Sequence, residues 1–175
     1  MLLTGNFRRL LDDKQRLAIP KPLRDSIGPE VPCLIVTPGT DGSLNVYTES
    51  IFAAIGASLA ESSPAAKEHR VFCRLFYSQA QQVEIDRQSR IRLSDDLILF
   101  AGLKSELVLI GVGDHIEIWD VDRWSEFLGQ RQSEFDQWAE RAFAGAHVPT
   151  PSISVPDQTV DTFDSQNSSV PSNPR

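Results

Sequence analysis

The sequence predicts a mainly β protein with short helices, an α+β fold in which two pseudo-symmetric units form one β-barrel. Three observations lead to this prediction. The chain contains an internal duplication, and its apolar residues alternate with polar ones as in half-buried strands. Each repeat also has only about 45 residues, too few to bury a core alone. The two units are therefore expected to interleave.

The duplication is clearest around two Asp-x-x-x-Arg stretches. Asp12 aligns with Asp86 and Arg16 with Arg90 at an offset of 74 residues, each stretch lying between apolar flanks. Further positions agree in the same order: Leu23/Leu97, Ile27/Ala101, Gly28/Gly102, Gly39/Gly113 and, after a shortening by two residues, Leu44–Tyr47 with Ile116–Trp119. Agreement in order over this length indicates a true repeat.

Each repeat is expected to begin with a strand that ends at the Asp, a turn, and a second strand that leaves from the Arg. A short helix follows, closed by Gly28 in the first copy and by Gly102 in the second. Ser94 is expected to cap the second of these helices. Near-continuous apolar strands come next, over Cys33–Val36 and Leu107–Ile110, and their composition predicts burial on both faces.

An alternating strand then leads in each copy to a helix, which Thr48 or Asp120 is expected to cap. Pro64 fits the first position of a helix that joins the two copies. From residue 145 onward the chain is polar and aperiodic, which is typical of disorder. The predicted organisation is a first repeat over 5–60, a connecting helix over 61–80, a second repeat over 81–128, a C-terminal helix over 129–144 and a disordered tail over 145–175.

The composition fits a globular cytoplasmic protein and shows no active-site pattern. Apolar residues make up 41% of the chain and charged residues 23%, which are ordinary values. No apolar run approaches the roughly 20 residues that span a bilayer, and the start does not resemble a secretory signal. Cys33 and Cys73 are interpreted as reduced thiols. Because no nucleophile, paired-carboxylate or metal-ligand spacing occurs, we expect no enzyme, no cofactor and no metal.

The charge is distributed unevenly along the chain. The net charge is −7, yet the first 24 residues hold six cations and only two carboxylates. A basic segment on an acidic body can mark a nucleic-acid-binding edge, although a solvated charged strand explains the charge equally well. The candidate DNA-binding residues are Arg8, Arg9, Lys14, Arg16, Lys21 and Arg24.

The two copies differ in this respect. Residues 81–98 hold three arginines and four carboxylates, so repulsion from phosphate should make the second copy a poor DNA-binding face. The first copy is therefore expected to carry the contact. The pairs Asp12/Arg16 and Asp86/Arg90 are consistent with either of two roles, an ion pair that pins the hairpin turn or a contact with DNA.

The repeated pattern resembles the MraZ family of the SpoVT–AbrB superfamily. The likeness covers about residues 5–140 and is carried by Leu11–Pro20, Val36–Leu44, Val83–Asp86 and Val108–Asp120. It implies two AbrB-like swapped-hairpin units and a ring-like homo-oligomer. It also implies binding to short direct repeats of double-stranded DNA in the promoter of the division and cell-wall gene cluster, usually as a repressor. Association with the nucleoid follows, without cofactor, membrane or small-molecule substrate.

The sequence departs from the family pattern at the turns. Gln15 and Ser89 stand where the family usually has glycine, and Ser94 stands where the second copy usually has proline. A non-glycine residue at a left-handed turn position costs on the order of 1 kcal/mol. Two alternatives stay open: an AbrB-like regulator with other operators, and an oligomeric interaction protein on this fold that does not bind DNA.

Overall fold

The computed structural model describes residues 2–61 and 67–144. The chain divides into two compact units, residues 1–135 and residues 136–175. The strands are β1 (Asn6–Leu10), β2 (Arg16–Ala18), β3 (Cys33–Pro38), β4 (Leu44–Tyr47), β5 (Gln81–Glu84), β6 (Arg90–Arg92), β7 (Glu106–Gly111) and β8 (Ile116–Asp120). The helices are α1 (Lys21–Ile27), α2 (Glu49–Glu61), α3 (Lys67–Gln79), α4 (Asp95–Ala101), α5 (Val121–Arg131) and α6 (Phe135–Phe143), with a 3-10 turn at Gln132–Glu134.

Strand pairing crosses repeatedly between the two copies. Six antiparallel strands form one sheet in the order β1-β7-β8-β4-β3-β5. If each strand is replaced by the equivalent strand of the other copy, the same order results, read in the opposite direction. The second strand of each copy leaves this sheet, and β2 pairs with β6 in a separate two-stranded ribbon. These pairings confirm a mainly β protein with short helices.

The closed barrel expected from the sequence is not found among the described strands. β1 and β5 are the two ends of the six-stranded order, and no pairing joins them. The physical reason is that β2 and β6, which follow these two strands, pair with each other and do not bridge the two edges. The arms of the first hairpin are joined by an isolated bridge between Leu11 and Leu17 and by a backbone hydrogen bond from Asp12 to Arg16.

One hydrophobic core draws on both copies. Leu17 and Ile91 are partners in the ribbon, and both are fully buried. They join a cluster that includes Leu23 and Leu97, which lie on α1 and α4, and Leu107 on β7. The ribbon is therefore anchored to the same core as the six-stranded sheet.

The local signals in the sequence are confirmed at the helix ends. The Ser94 side chain accepts a hydrogen bond from the N–H of Leu97, and the Asp120 side chain accepts one from the N–H of Asp122. The Thr48 side chain accepts one, at 3.4 Å, from a backbone N–H in the first turn of α2. Gly102 closes α4 in the left-handed conformation, at φ 58°.

The prediction of strands buried on both faces is confirmed for β7 and wrong for β3. Three consecutive residues of β7 are buried, Leu107 to Leu109. In β3 only Leu34 and Val36 of the first four residues are buried, and their neighbours are half-buried. The second face of β3 packs against α2 and α3, which cover it only in part.

The second unit is described only as far as residue 144. Its helix α6 has no buried residue. The predicted tail over 145–175 and Pro64 lie outside the described residues. No helix in the described ranges is long and apolar enough to cross a membrane.

A polar cluster lies across the centre of the sheet, where β4 meets β8. The His115 Nδ1 is 2.7 Å from the carboxylate of Asp114, and its Nε2 is 3.6 Å from Glu117. Its ring lies 5.1 Å from the ring of Tyr47. The Trp119 indole donates a 2.8 Å hydrogen bond to the same Glu117. The neighbouring Glu117 and Asp114 raise the pKa of His115, although partial burial opposes them.

We expect this cluster to make the folded protein more stable at acidic pH. A raised folded-state pKa means that the contribution of His115 is fully present below the unfolded value of about 6.5. It is lost as the pH rises through the folded-state pKa. The H115Q variant should lose this dependence, so the difference in melting temperature between wild type and variant should shrink between pH 5.5 and pH 8.5.

The D114N variant serves as a second test because it removes one of the two carboxylates without changing the imidazole. It should weaken the same dependence in part. A wild type-minus-H115Q difference that stays constant, or grows with pH, would contradict the assignment.

Candidate nucleic-acid interface

The β2–β6 ribbon presents arginines on its outer face. Arg16 lies directly opposite Arg92, and Leu17 lies opposite Ile91. Side chains alternate along a strand, so the buried Leu17 and Ile91 place their neighbours on the opposite face. Arg90 is the third arginine on this outer face. Such a face results only when the two copies pair.

The Asp12 side chain organises the turn that precedes β2. Its Oδ1 accepts hydrogen bonds from the backbone N–H groups of Lys14 at 2.9 Å and Arg16 at 2.8 Å. Its Oδ2 accepts a 2.7 Å hydrogen bond from the Arg16 Nε. These bonds hold the pKa of Asp12 below its ordinary value, chiefly through the backbone N–H of Arg16.

The second turn repeats this arrangement with one difference. Asp86 accepts hydrogen bonds from the backbone N–H groups of Gln88 and Arg90, at 2.8 and 2.9 Å. Arg90 approaches Asp86 through both Nε and Nη2, at 2.8 and 2.7 Å, whereas Arg16 contacts Asp12 through Nε. Both pairs therefore brace their turns. Among the described residues, the two terminal nitrogens of Arg16 make no hydrogen bond.

The other candidate cations of the first hairpin lie on β1 and in the turn that follows it. Arg8 and Arg9 are adjacent on β1, so the alternation of the strand sends them to opposite faces. Arg8 is exposed, and Arg9 is half-buried and donates a 2.8 Å hydrogen bond to the Arg8 carbonyl. Lys14 is exposed at the tip of the first turn. Within the described ranges the side chains of Arg8 and Lys14 have no ion-pair partner.

The two predicted cations on α1 have partners within the chain. Lys21 forms a 2.8 Å ion pair with Asp25, which raises the pKa of the lysine. Arg24 donates hydrogen bonds to the backbone carbonyls of residues 28, 29 and 31, at 2.8 to 3.0 Å. Arg24 therefore supports the loop that follows α1.

The fold also redistributes charge between the copies. The Gln15 side chain of the first turn donates a hydrogen bond to Asp95, at the start of α4 in the second copy. Conversely, Arg87 of the second turn lines the same surface depression as Lys21 and Arg24 of the first copy. The contrast in charge between the two sequence segments is therefore not a contrast between two separate surfaces.

Sequence reasoning missed the position of Arg92. Its outward orientation could be inferred from the alternation of β6, but its place beside Arg16 depends on pairing between the copies. Arg92 is exposed, and its side chain has no hydrogen-bond partner in the described part of the chain. It belongs to the candidate interface on geometric grounds.

Other kinds of site find little support in the described residues. They hold no group of His, Cys, Asp and Glu that could bind a metal ion. Cys33 and Cys73 are half-buried and free, and the Cys33 sulfur lies 3.0 Å from the side-chain nitrogen of Gln82.

Comparison with known proteins gives one consistent result. The sequence profile of the family described as "MraZ: MraZ protein, putative antitoxin-like" matches residues 2–75 and again residues 76–145. The chain is 40% identical over 139 residues to a protein of Lactobacillus delbrueckii subsp. bulgaricus named Transcriptional regulator MraZ, covering 79% of this chain and 95% of that protein. Proteins of the same name from Ligilactobacillus salivarius and Pediococcus pentosaceus are 35% and 36% identical, with the same two coverages.

The turn geometry makes a prediction about Ser89. Its φ of 57° lies in the left-handed region, as does that of Gln15, at a cost of about 1–2 kcal/mol for a residue with a side chain. Glycine avoids this cost but adds entropy to the unfolded chain, about 0.4–1 kcal/mol. We therefore expect S89G to raise the free energy of unfolding by roughly 0.5–1 kcal/mol, measured by chemical denaturation.

The S89A variant is the matched control, because it removes the hydroxyl and keeps the strained backbone. It should bring no gain. An S89G protein no more stable than S89A would show that this turn relaxes without help from glycine.

Proposed function

Because the chain belongs to the MraZ family, we propose that it is a transcriptional regulator that binds double-stranded promoter DNA through the outer face of its β2–β6 ribbon. The observation that carries this proposal is the register that places Arg16 beside Arg92. A two-stranded β-ribbon fits the major groove. An arginine there can donate two hydrogen bonds to O6 and N7 of guanine.

Different cations are assigned different tasks in this proposal. Arg16 is the best placed to contact a base, because its brace to Asp12 uses only Nε and leaves both terminal nitrogens available. Lys14, at the tip of the turn, is suited to a phosphate, and Arg92 extends the same face. The proposed DNA-facing set is Arg8, Lys14, Arg16 and Arg92. Arg9, which points to the opposite face of β1 from Arg8, and Lys21 and Arg24, which have partners within the chain, are proposed to flank this set.

The crossed strand pairing supports a swapped-hairpin arrangement of the two copies. β2 leaves its own hairpin partner and pairs with β6 of the other copy, and β6 does the same in return. On this proposal the DNA-binding ribbon belongs to neither repeat alone, so a single repeat would not form it.

A single ribbon with a few cations would bind DNA weakly. An oligomer that presents several ribbons side by side gains affinity through effective concentration, provided that the DNA repeats its binding site. We therefore propose a ring-like homo-oligomer bound to short direct repeats, in the cytoplasm and on the nucleoid. As the family resemblance suggests, its proposed role is repression of the division and cell-wall gene cluster.

The first test removes single cations from the ribbon and from elsewhere. We expect R16A and R92A each to weaken binding to the gene's own upstream DNA by about tenfold or more, since a good base contact contributes roughly 1–3 kcal/mol. K104A removes the same charge from an exposed ion pair with Asp122 and should have little effect. Gel shift and circular dichroism on the same samples measure affinity and fold.

Salt dependence separates the two kinds of contact in this test. K14A should lower the slope of log affinity against log salt by roughly 0.9, as expected for one lost phosphate contact. If K104A weakens binding as much as R16A, net charge alone governs binding. If wild type shows no salt-dependent shift of this DNA, the protein is better described as an interaction protein that does not bind DNA.

A second test distinguishes the effect of the position of Arg16 from the effect of net charge on DNA binding. D12N removes a negative charge next to the proposed interface, so electrostatics alone predicts tighter binding to phosphate. We expect weaker binding, by several-fold, because the variant loses the carboxylate that holds the Arg16 guanidinium. D86N makes the same change in the second turn and should weaken binding less, since Arg90, whose Nε and Nη2 both contact Asp86, is not the arginine assigned to a base. Tighter binding by D12N would rule out a positioned Arg16.

A further inference from the structure

The strand β5 forms an open edge of the six-stranded sheet. It is the last strand in the order, and among the described strands it pairs only with β3. The backbone N–H of Ile85, just after β5, donates a hydrogen bond to the Pro32 carbonyl on the β3 side. In an antiparallel ladder the N–H and C=O of one residue point to the same side, and this side alternates along the strand. The backbone groups of Gln82 and Glu84 therefore point away from β3 and can pair with a further strand.

A surface depression of about 610 Å³ lies along this open side. Residues 81–84 of β5 form one wall, and residues 90–95, which include β6 and the start of α4, form the other. Among the described residues no strand pairing joins β5 to β6, because β6 pairs with β2 instead. We call this depression the β5 slot.

The opposite edge of the sheet is less suited to a further strand. β1 carries Arg8 and Arg9 side by side, whereas the equivalent positions of β5 are Gln82 and Val83. Charged residues on an edge strand discourage pairing with other chains. An isolated bridge also partly closes the first hairpin, and the described part of the second hairpin has none. The β5 edge is therefore the more accessible of the two.

The carboxylates in the β5 slot are mostly engaged within the chain. Three of them line it. Asp86 accepts a hydrogen bond from Arg90, and Asp95 accepts one from Gln15. Glu84 is exposed and has no ion-pair partner among the described residues. One carboxylate thus remains to interact with a ligand.

Two of the three arginines that line the slot remain available. Arg16 and Arg92 lie directly opposite each other in the ribbon. In the described ranges the Arg92 side chain has no hydrogen-bond partner, and the terminal nitrogens of Arg16 have none. Like charges that lie opposite each other on paired strands repel. A carboxylate placed beside them would offset this repulsion, so the available charges favour an acidic ligand over a basic one.

We propose that the β5 slot binds an extended acidic segment of a partner protein, which pairs with β5 as an added strand. The backbone of the segment bonds to Gln82 and Glu84, and an acidic side chain contacts Arg92 and Arg16. In this mode of peptide recognition the main-chain hydrogen bonds give affinity, and the side-chain contacts give specificity.

Such a partner regulates DNA binding. Arg16 and Arg92 line the slot, and they also form the centre of the proposed DNA-facing surface. A segment that engages both arginines excludes DNA from them, so partner and DNA compete. The competition rests on the proposed function, whereas the contact between β5 and the segment does not.

The test uses the full chain and a fluorescein-labelled peptide in which valine alternates with aspartate. We expect fluorescence polarisation to show binding, and a peptide with lysine in place of aspartate to bind about tenfold more weakly or worse. In the complex, hydrogen exchange at the backbone amides of Gln82 and Glu84 should slow by about tenfold or more. Exchange at Val83, whose N–H faces β3, should change less.

Paired variants separate the backbone contact from the side-chain contact. Q82P removes an N–H that faces the slot and should bind the peptide about tenfold more weakly than Q82A, which keeps it. R92A should weaken binding several-fold. R87A removes an exposed arginine of the second turn outside the slot and should bind as wild type does.

A variant of the peptide replaces Q82P if circular dichroism shows that Q82P is unfolded. N-methylation at alternate residues blocks hydrogen bonds along one side of an extended peptide. Methylation of one set of residues should therefore abolish binding, and methylation of the other set should not.

Four outcomes would overturn the inference. They are no binding of the acidic peptide, equal binding by Q82P and Q82A, equal binding of the acidic and basic peptides, and slow exchange at Gln82 and Glu84 before peptide is added. The last would show that the edge is already paired.

Competition with the gene's upstream DNA keeps the two proposals apart. We expect the acidic peptide to displace labelled DNA from the protein. Protein that binds the peptide but no DNA would refute the proposed function and leave the slot standing. Protein that binds DNA but not the peptide would do the reverse, and simultaneous binding of both would refute the competition.

Discussion

The whole structure depends on the pairing of β2 with β6 across the two repeats. Neither strand has a full partner within its own hairpin, and Leu17 and Ile91, which lie opposite each other in the ribbon, are both buried. The pairing of β2 with β6 joins both copies in one hydrophobic core. A core formed by one copy alone would be too small to be stable. The pairing also sets Arg16 against Arg92, so a requirement of folding produces the surface to which we assign DNA binding.

The hydrogen-bonded turn at Asp12 holds Arg16 in a fixed position on this surface. A long side chain such as arginine normally loses conformational entropy when it is held in one position to bind a partner. Asp12 fixes Arg16 in advance through one side-chain and two backbone hydrogen bonds around the turn. The left-handed backbone at Gln15 belongs to the same tight turn. Architecture and recognition are therefore not competing explanations of the Asp–Arg pair, because the brace is what would position the arginine.

Much of the fold could be predicted from the sequence because its signals are local. The caps at Ser94 and Asp120, the glycine that closes α4 and the repeat itself all depend on residues close together in the chain. Contacts between distant residues could not be predicted in this way. The place of Arg92 beside Arg16, the hydrogen bond from Gln15 to Asp95 and the open order of the sheet all follow from pairing between copies. Charge counted along the sequence assigned Asp95 to the second copy, but the fold places it beside the first turn.

Comparison of equivalent positions in the two repeats distinguishes the residues that the fold requires from those that can vary. Where the copies must match, they do: Leu17 and Ile91 are both buried, and Asp12 and Asp86 brace equivalent turns. Where a position is exposed in both copies, the residues diverge, as in Arg8 against Gln82 or Ser26 against Phe100. Divergence at equivalent exposed positions cannot be attributed to packing, because the equivalent backbone is built with either residue. The first copy has become basic at its turn, and the second has become apolar along α4. One duplicated unit thus carries two different surfaces, one basic and one apolar.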